Sequence, residues 1–151
     1  QLVLRSIPTK MHQRLGIADF GWINRLCGEN GVLEIPMEEM RDARDGDKLK
    51  MKVGKSENAK TAKTFFQVVK RFEKFSLVSL VIETGRTHQI RFHMASIGCP
   101  LLGDSFYGDG PELGISRTAL HAQQLTFTHP FCEKVMRIES EMPKDLSFLL
   151  R

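Results

Sequence analysis

Between Leu77 and Ile82 the chain carries a single polar side chain, Ser79, and it then turns at Thr84-Gly-Arg86. A nearly continuous apolar run of this length predicts a strand buried on both faces, hence central in a sheet. The segment ahead of it, Thr64-Phe-Phe-Gln-Val-Val69, is rich in β-branched and aromatic residues and predicts a second strand. The short Lys70–Ser76 connection makes the two an antiparallel pair. Past the turn, Thr87 can cap a helix, and Ile90, Met94 and Ile97 follow at helical spacing. Gly98 and then Pro100 end it. A strand, a glycine turn and a helix start are therefore fixed in sequence, and the remaining elements must pack around them.

Residues 1–30 show no clear period: Leu2–Leu4 reads as a short strand, and Asp19-Phe-Gly-Trp22 and Gly28-Glu-Asn-Gly31 read as turns. Val32–Pro36 is a short strand stopped by proline, and Met37–Asp47 a charged loop. Two more strands follow near Leu120–Thr128 and Val135–Ser140, with a short helix from Pro143 to the end. Strands dominate, so the class is α+β, a mostly antiparallel sheet with flanking helices.

With 41% hydrophobic and 26% charged residues, the 151-residue chain can bury a core and does not have the composition of a disordered segment. The three cysteines, Cys27, Cys99 and Cys132, form no C-x-x-C pair, which suits a reducing compartment: the cytoplasm, or a mitochondrion as the alternative. No apolar run is long enough to span a bilayer. The chain starts at Gln1, which reads as a fragment or a processed product. Its net charge of +4 admits a nucleic-acid partner without requiring one.

The chemistry concentrates in Glu83-Thr-Gly-Arg-Thr-His-Gln-Ile-Arg-Phe-His93. A helix N-terminus exposes free N–H groups and the positive end of the dipole. Two arginines and two histidines are added there with almost no acid nearby. On a helical wheel His88 and Arg91 share one flank of the apolar stripe, and Gln89 and His93 another. Arg91 is off the Ile90/Met94/Ile97 face, so its removal is expected to leave core packing intact. From Lys48 to Lys63 there are six lysines. Lys48, Lys50 and Lys52 alternate and would share one face of a strand, and Lys55 follows. They read either as a solvated hairpin or loop, or as an arm along RNA phosphates. His88 and His93 are five apart, on different faces, and the cysteines lack ligand spacing, so no metal site is expected.

Glu83–Gly98 resembles the E-T-G-R-T-H-Q-I-R-x-H block of RluA-type RNA pseudouridine synthases. Cys99-Pro-Leu-Leu-Gly-Asp104 with Tyr107-Gly108 is similar to that family's H-P-[IL]-x-G-D-x-x-Y-G. Arg117-Thr-Ala-Leu-His-Ala122 with Leu125-Thr-Phe-Thr-His-Pro130 is similar to R-x-x-L-H-A-x-x-L-x-F-x-H-P, and Lys60–Thr64 to a weaker block ahead of them. The resemblance covers about residues 54–145 and leaves 1–30 unassigned. It implies a single domain, the larger C-terminal part of a pseudouridine synthase catalytic domain. The implied reaction breaks the uracil–ribose bond, turns the base and rejoins it through a ring carbon, with a catalytic aspartate and no cofactor. The implied partner is structured RNA, ribosomal or transfer RNA, together with the missing N-terminal part of the same protein. The resemblance gives Arg91 the task of orienting the aspartate. It gives Arg86, Thr87, His88, Gln89, His93, Leu120 and His121 places around the substrate. Leu120 reads equally as a core leucine, and His121 as a satisfied buried histidine.

One departure matters. The family's aspartate lies in H-R-L-D-x-x-T-S-G, a string this sequence does not contain. A pocket tyrosine from a Y-x-x-x-V strand is also absent, Tyr107 being the sole tyrosine. The nearest echo is His12-Gln-Arg-Leu-Gly-Ile-Ala-Asp19, with different spacing and no Thr-Ser, which leaves Asp19 as a weak candidate. Either the catalytic segment is missing from a fragment, or the chain is a relative that kept an RNA-binding, ribosome-assembly scaffold and lost catalysis. A carboxylate in reach of Arg91 separates the two.

Overall fold

The computed structural model describes the backbone of residues 16–23, 28–42 and 48–151. In chain order the described elements are β1 (Gly16–Ile23), β2 (Asn30–Glu34), β3 (Met37–Asp42), β4 (Lys48–Val53), β5 (Lys63–Arg71) and β6 (Ser76–Ile82). Then come α1 (Gln89–Ser96), β7 (Leu120–Thr128), β8 (Val135–Glu139) and α2 (Lys144–Ser147), which ends in a 3-10 turn over Phe148–Leu150. Six strands form one sheet in the order β2-β5-β6-β1-β7-β8, every neighbouring pair antiparallel. β3 and β4 form a separate antiparallel hairpin. The α+β class is therefore what the chain adopts. The segment at Leu2–Leu4 lies outside the described residues.

The β5–β6 pair is antiparallel, and β6 is central in the sheet's order. It is buried on both faces only at its start, where Ser76, Leu77 and Val78 are all covered. Val78, Leu80 and Ile82 point into the core, whereas Val81 is 37% exposed and Ser79 half-buried. The difference follows from layering: α1 covers one face of the strand, and the other borders a shallow cavity of about 380 Å³ lined by Phe65, Gln67, Ser79 and Val81. On the covered face Phe66, Val78, Leu80 and Ile82 pack with Ile90 and Met94 of α1 and with Cys99 and Leu101 beyond it. A second cluster joins Leu77, Leu102, Ile115 and Ala119 to Leu146 and Leu149.

Asp19-Phe-Gly-Trp22 is not a turn but part of β1, which lies between β6 and β7. Two ladders satisfy its backbone, and this tertiary pairing outweighs the turn propensity of Asp and Gly. Gly21 allows the close approach there: a Cβ would stand 2.7 Å from Leu101 Cδ2 and 2.9 Å from Leu80 Cδ1, and those buried methyl groups would have to move. Met37–Asp42, expected as a loop, is a strand because β4 supplies its partners, with Glu38 opposite Lys52. Met37 and Met51 of this hairpin pack on Phe92 of α1 and on Ala62. α1 is thus held between the sheet and the hairpin. Its N-cap is His88, in the left-handed region at φ 55°, with no side-chain cap; Thr87 does not cap it. Gly98, at φ +75°, follows the helix as expected.

Candidate active site

The loop after α1 is shaped around one carboxylate. Gly103 adopts φ +70°, and a Cβ on it would lie 2.1 Å from the Arg117 carbonyl oxygen, so only glycine fits. It brings Asp104 to a fully buried position beneath α1. There Arg91 Nε donates to Asp104 Oδ2 and Arg91 Nη2 to Oδ1, both at 2.8 Å. Oδ1 also accepts the backbone N–H groups of Phe106 and Tyr107, at 2.9 and 3.1 Å. Burial alone would raise the Asp104 pKa; the hydrogen bonds from Arg91 and the two amides outweigh it and hold the carboxyl below its ordinary value.

Arg91 is as tightly placed. Its side chain is 11% exposed, and its guanidinium carbon lies 5.1 Å from the Phe106 ring centroid and 5.4 Å from that of Tyr107. The fork is fixed in its plane by Asp104 and flanked by two aromatic rings. Asp104 is the one carboxylate in hydrogen-bond reach of Arg91 among the described residues. Both of its oxygens are engaged and none of its surface meets solvent, so it orients Arg91 and is not placed to meet a substrate. Asp104 belongs to the Leu-Gly-Asp block already visible in the sequence. The signal that could have paired it with Arg91 was the need of an unbalanced basic flank for an acid.

The other motif residues divide into an inner and an outer group. Gln89 and His93 are inner, 3% and 0% exposed. Lys63 N–H donates to Thr84 Oγ1, whose hydroxyl donates to Gln89 Oε1 at 2.7 Å. Gln89 Nε2 donates to the Lys63 carbonyl and to Thr64 Oγ1. His93 Nε2 faces the Ile35 carbonyl at 3.0 Å, which can only accept, so that nitrogen carries the proton. Nδ1 then accepts from the Thr64 hydroxyl at 2.9 Å. Burial pushes the His93 pKa down, in keeping with a neutral ring. Gln89 and His93 are therefore not open to a substrate. They pin α1 to β5 and to the Ile35 connection between β2 and β3.

His121 is likewise internal, 9% exposed, with Nε2 donating to the Ser140 carbonyl at 3.0 Å. Leu120 is partly buried against the main core cluster. Arg117, in the same block, grips Asp145 at 2.7 and 3.0 Å and so ties the C-terminal helix to the start of β7.

Arg86, Thr87 and His88 form the outer group. His88 Nδ1 meets Tyr107 Oη at 3.1 Å, and that oxygen also accepts Met51 N–H at 2.8 Å. Burial raises the Tyr107 pKa, so its hydroxyl keeps its proton. Tyr107 thus couples the start of α1 to the β3–β4 hairpin. Arg86 Nε donates to the Thr61 carbonyl at 3.1 Å. Arg86 and Thr87 form one wall of a groove of about 720 Å³, whose other wall is the hairpin with Lys52, Ser56, Asn58 and Lys60. The sequence carried no sign of this groove, because it exists only once Met37–Asp42 pairs as a strand.

The lysine row is not an unopposed stripe. Lys48, Lys50 and Lys52 do alternate on β4, but Lys52 Nζ pairs with Glu38 at 3.0 Å. Hydrogen bonds from the Ser56 hydroxyl, Lys52 and the Ser56 amide lower the Glu38 pKa to about 2. Lys50 Nζ lies 5.8 Å from the centroid of the Phe106 ring, the ring that also flanks Arg91. Lys55 is exposed, and the Lys48 side chain lies outside the described residues. Asp19 takes the β1 position paired with Leu80 on one side and Ala122 on the other; its side chain, too, lies outside the described residues. Among the described residues no three His, Cys, Asp or Glu side chains cluster as a metal site needs.

The all-antiparallel sheet, with a helix docked beneath a Thr-Gly-Arg turn and an arginine clamped by a Gly-Asp loop, is the fold of solved RNA pseudouridylate synthase domains. The family model for RNA pseudouridylate synthases matches residues 17–96. The chain is 38% identical over 122 residues to the uncharacterized RNA pseudouridine synthase YlyB of Bacillus subtilis, covering 81% of this chain and 38% of that protein. It is 42% identical over 103 residues to the ribosomal large subunit pseudouridine synthase D of Nitrosomonas europaea, covering 63% of this chain and 30% of the relative. Human RNA pseudouridylate synthase domain containing 1 superposes with a TM-score of 0.71 at 26% identity, over 87% of this chain and 56% of that one. The chain belongs to the RNA pseudouridylate synthase family, in its RluA-type branch. It spans about a third of the length of the curated relatives it matches.

Proposed function

We propose that the protein isomerises uridine to pseudouridine in structured RNA, ribosomal RNA first and transfer RNA second, and that this chain supplies the arginine-bearing part of the site. The observation that carries the reading is Arg91, immobilised between Asp104 and two aromatic rings in the block the family uses to orient its aspartate. A guanidinium fixed on one edge can aim a second carboxylate without reorganising during the reaction. Asp104 has both oxygens engaged, so in this reading an H-R-L-D-type segment supplies the reacting aspartate. Asp19 is the alternative donor. The base leaves its stack to reach the site. Residence in the cytoplasm, with a mitochondrion as the alternative, belongs to the same proposal and rests on the free thiols Cys99 and Cys132.

A second reading, a catalytically silent RNA-binding scaffold, draws on one observation: the carboxylate that Arg91 holds is fully engaged. A chimera separates the two. Residues 16–151 replace the corresponding part of the Nitrosomonas europaea synthase D, and pseudouridine in large-subunit ribosomal RNA is mapped in a host lacking that enzyme. Restored modification, lost again in Arg91→Lys, supports the enzyme. A folded chimera that binds RNA and restores nothing supports the scaffold.

A further inference from the structure

Resting on the RNA reading above, we propose that the groove between the Thr-Gly-Arg turn and the β3–β4 hairpin is a subsite for one unpaired nucleotide of the RNA. Lys60 and Arg86 hold its phosphate, and Glu39 reads its base edge. At about 720 Å³ the groove is within the ~300–1,000 Å³ span of small-ligand sites, room for one nucleotide.

Its lining sorts by what is already engaged. Glu38 is committed to Lys52 and Ser56, so that pair is neutral and stiffens the hairpin wall. Among the described residues no hydrogen bond or ion pair engages the side chains of Lys60 or Glu39, and Arg86 uses only Nε, on the Thr61 carbonyl. Backbone bonds place these groups together. Lys60 N–H donates to the Met37 carbonyl at 2.8 Å and Met37 N–H to the Lys60 carbonyl at 2.9 Å, so Lys60 is fixed beside the start of β3. The Arg86–Thr61 bond brings the guanidinium to the neighbouring residue. Two open cations, Lys60 and an Arg86 guanidinium anchored at the adjacent Thr61, suit a phosphodiester. A single open carboxylate repels a phosphate but accepts from an exocyclic amino group of a base, such as cytosine N4. An RNA nucleotide offers both halves, and bases splayed from loops are read in this way.

A carboxylate prefers cytosine, whose N4 donates, over uracil, whose O4 accepts. The test uses this chain with a structured ribosomal RNA hairpin and a set of its variants in which each unpaired loop position is C or U. Affinity is measured at several salt concentrations. Wild type should favour C over U at one loop position by about tenfold, the worth of a hydrogen bond to a charged group, and Glu39→Gln should erase that preference with the salt slope unchanged. Lys60→Gln with Arg86→Gln should flatten the slope of log affinity against log salt by about 0.7, one single-strand phosphate, on every variant alike. Either arm unchanged overturns the subsite while RNA binding stands. Wild type that binds no structured RNA at all overturns the functional reading and this subsite with it.

Discussion

Removing Arg91 should destabilise the whole domain, contrary to what its position off the apolar stripe suggests. In Arg91→Ala the Asp104 carboxylate stays fully buried and keeps two amide donors while losing both guanidinium bonds. Breaking a buried pair from one side costs about 3–5 kcal/mol. For a chain of this size each kcal/mol moves the melting point by roughly 2–4 °C, so the drop should be about 6–20 °C. Arg91→Lys keeps the charge but cannot form the fork, and should lie between wild type and Arg91→Ala. Asp104→Asn keeps the shape and removes the charge. The double variant should be much less destabilised than the two single losses summed, which urea unfolding of all four proteins measures as a coupling energy. The pH dependence has a definite sign. Asp104 has its folded pKa below the ordinary 3.8, so its contribution is present above about pH 4 and is lost as pH falls below it. Asp104→Asn should remove that acid limb. An Arg91→Ala loss under about 1 kcal/mol, with no coupling to Asp104, would refute the reasoning.

Three further outcomes follow from the same contacts. His93 is neutral in the fold with its pKa below 6.5, so its stabilising share is present above that pH and declines as pH falls beneath it; His93→Gln should shrink the fall in urea midpoint between pH 7.5 and about 5, and an undiminished fall contradicts the buried, neutral placement of the ring between Thr64 and Ile35. Tyr107→Phe removes the acceptor of the Met51 amide, so exchange of that amide should speed up and stability fall by about 1 kcal/mol; unchanged exchange means that the hairpin is held without it. Gly103→Ala meets the Arg117 carbonyl and a left-handed backbone, costing about 1–3 kcal/mol from backbone conformation alone, and soluble protein with a wild-type melting point would show that the loop is not fixed as described.

Much of the fold was legible where period and burial coincide. The β5–β6 pair, β7, β8, the apolar stripe of α1 and its Gly98 stop all follow from alternation, helical spacing and chain-stop residues. β1 was not legible, since Asp19 and Gly21 carry turn propensity and the strand owes its existence to ladders from β6 and β7, more than 50 residues away in sequence. β3 was hidden by Glu38, Glu39 and Arg41, charges that suit a loop until β4 places a lysine opposite. The site was half legible. The motif block singled out Arg91, but it also gave Gln89 and His93 places around the substrate, and both are buried. They are inside because every hydrogen-bonding atom of the two side chains finds a partner on β5, the Thr84–Arg86 turn or Ile35, which removes the usual penalty for burying them.

The most direct test of the central claim, that this chain aims a catalytic carboxylate but does not itself present one, is pseudouridine mapping after incubating the chain alone with ribosomal RNA from cells lacking the modification. The account predicts RNA bound and no new pseudouridine at any position. New pseudouridine that disappears in Asp19→Asn would contradict it and make Asp19 the catalytic aspartate.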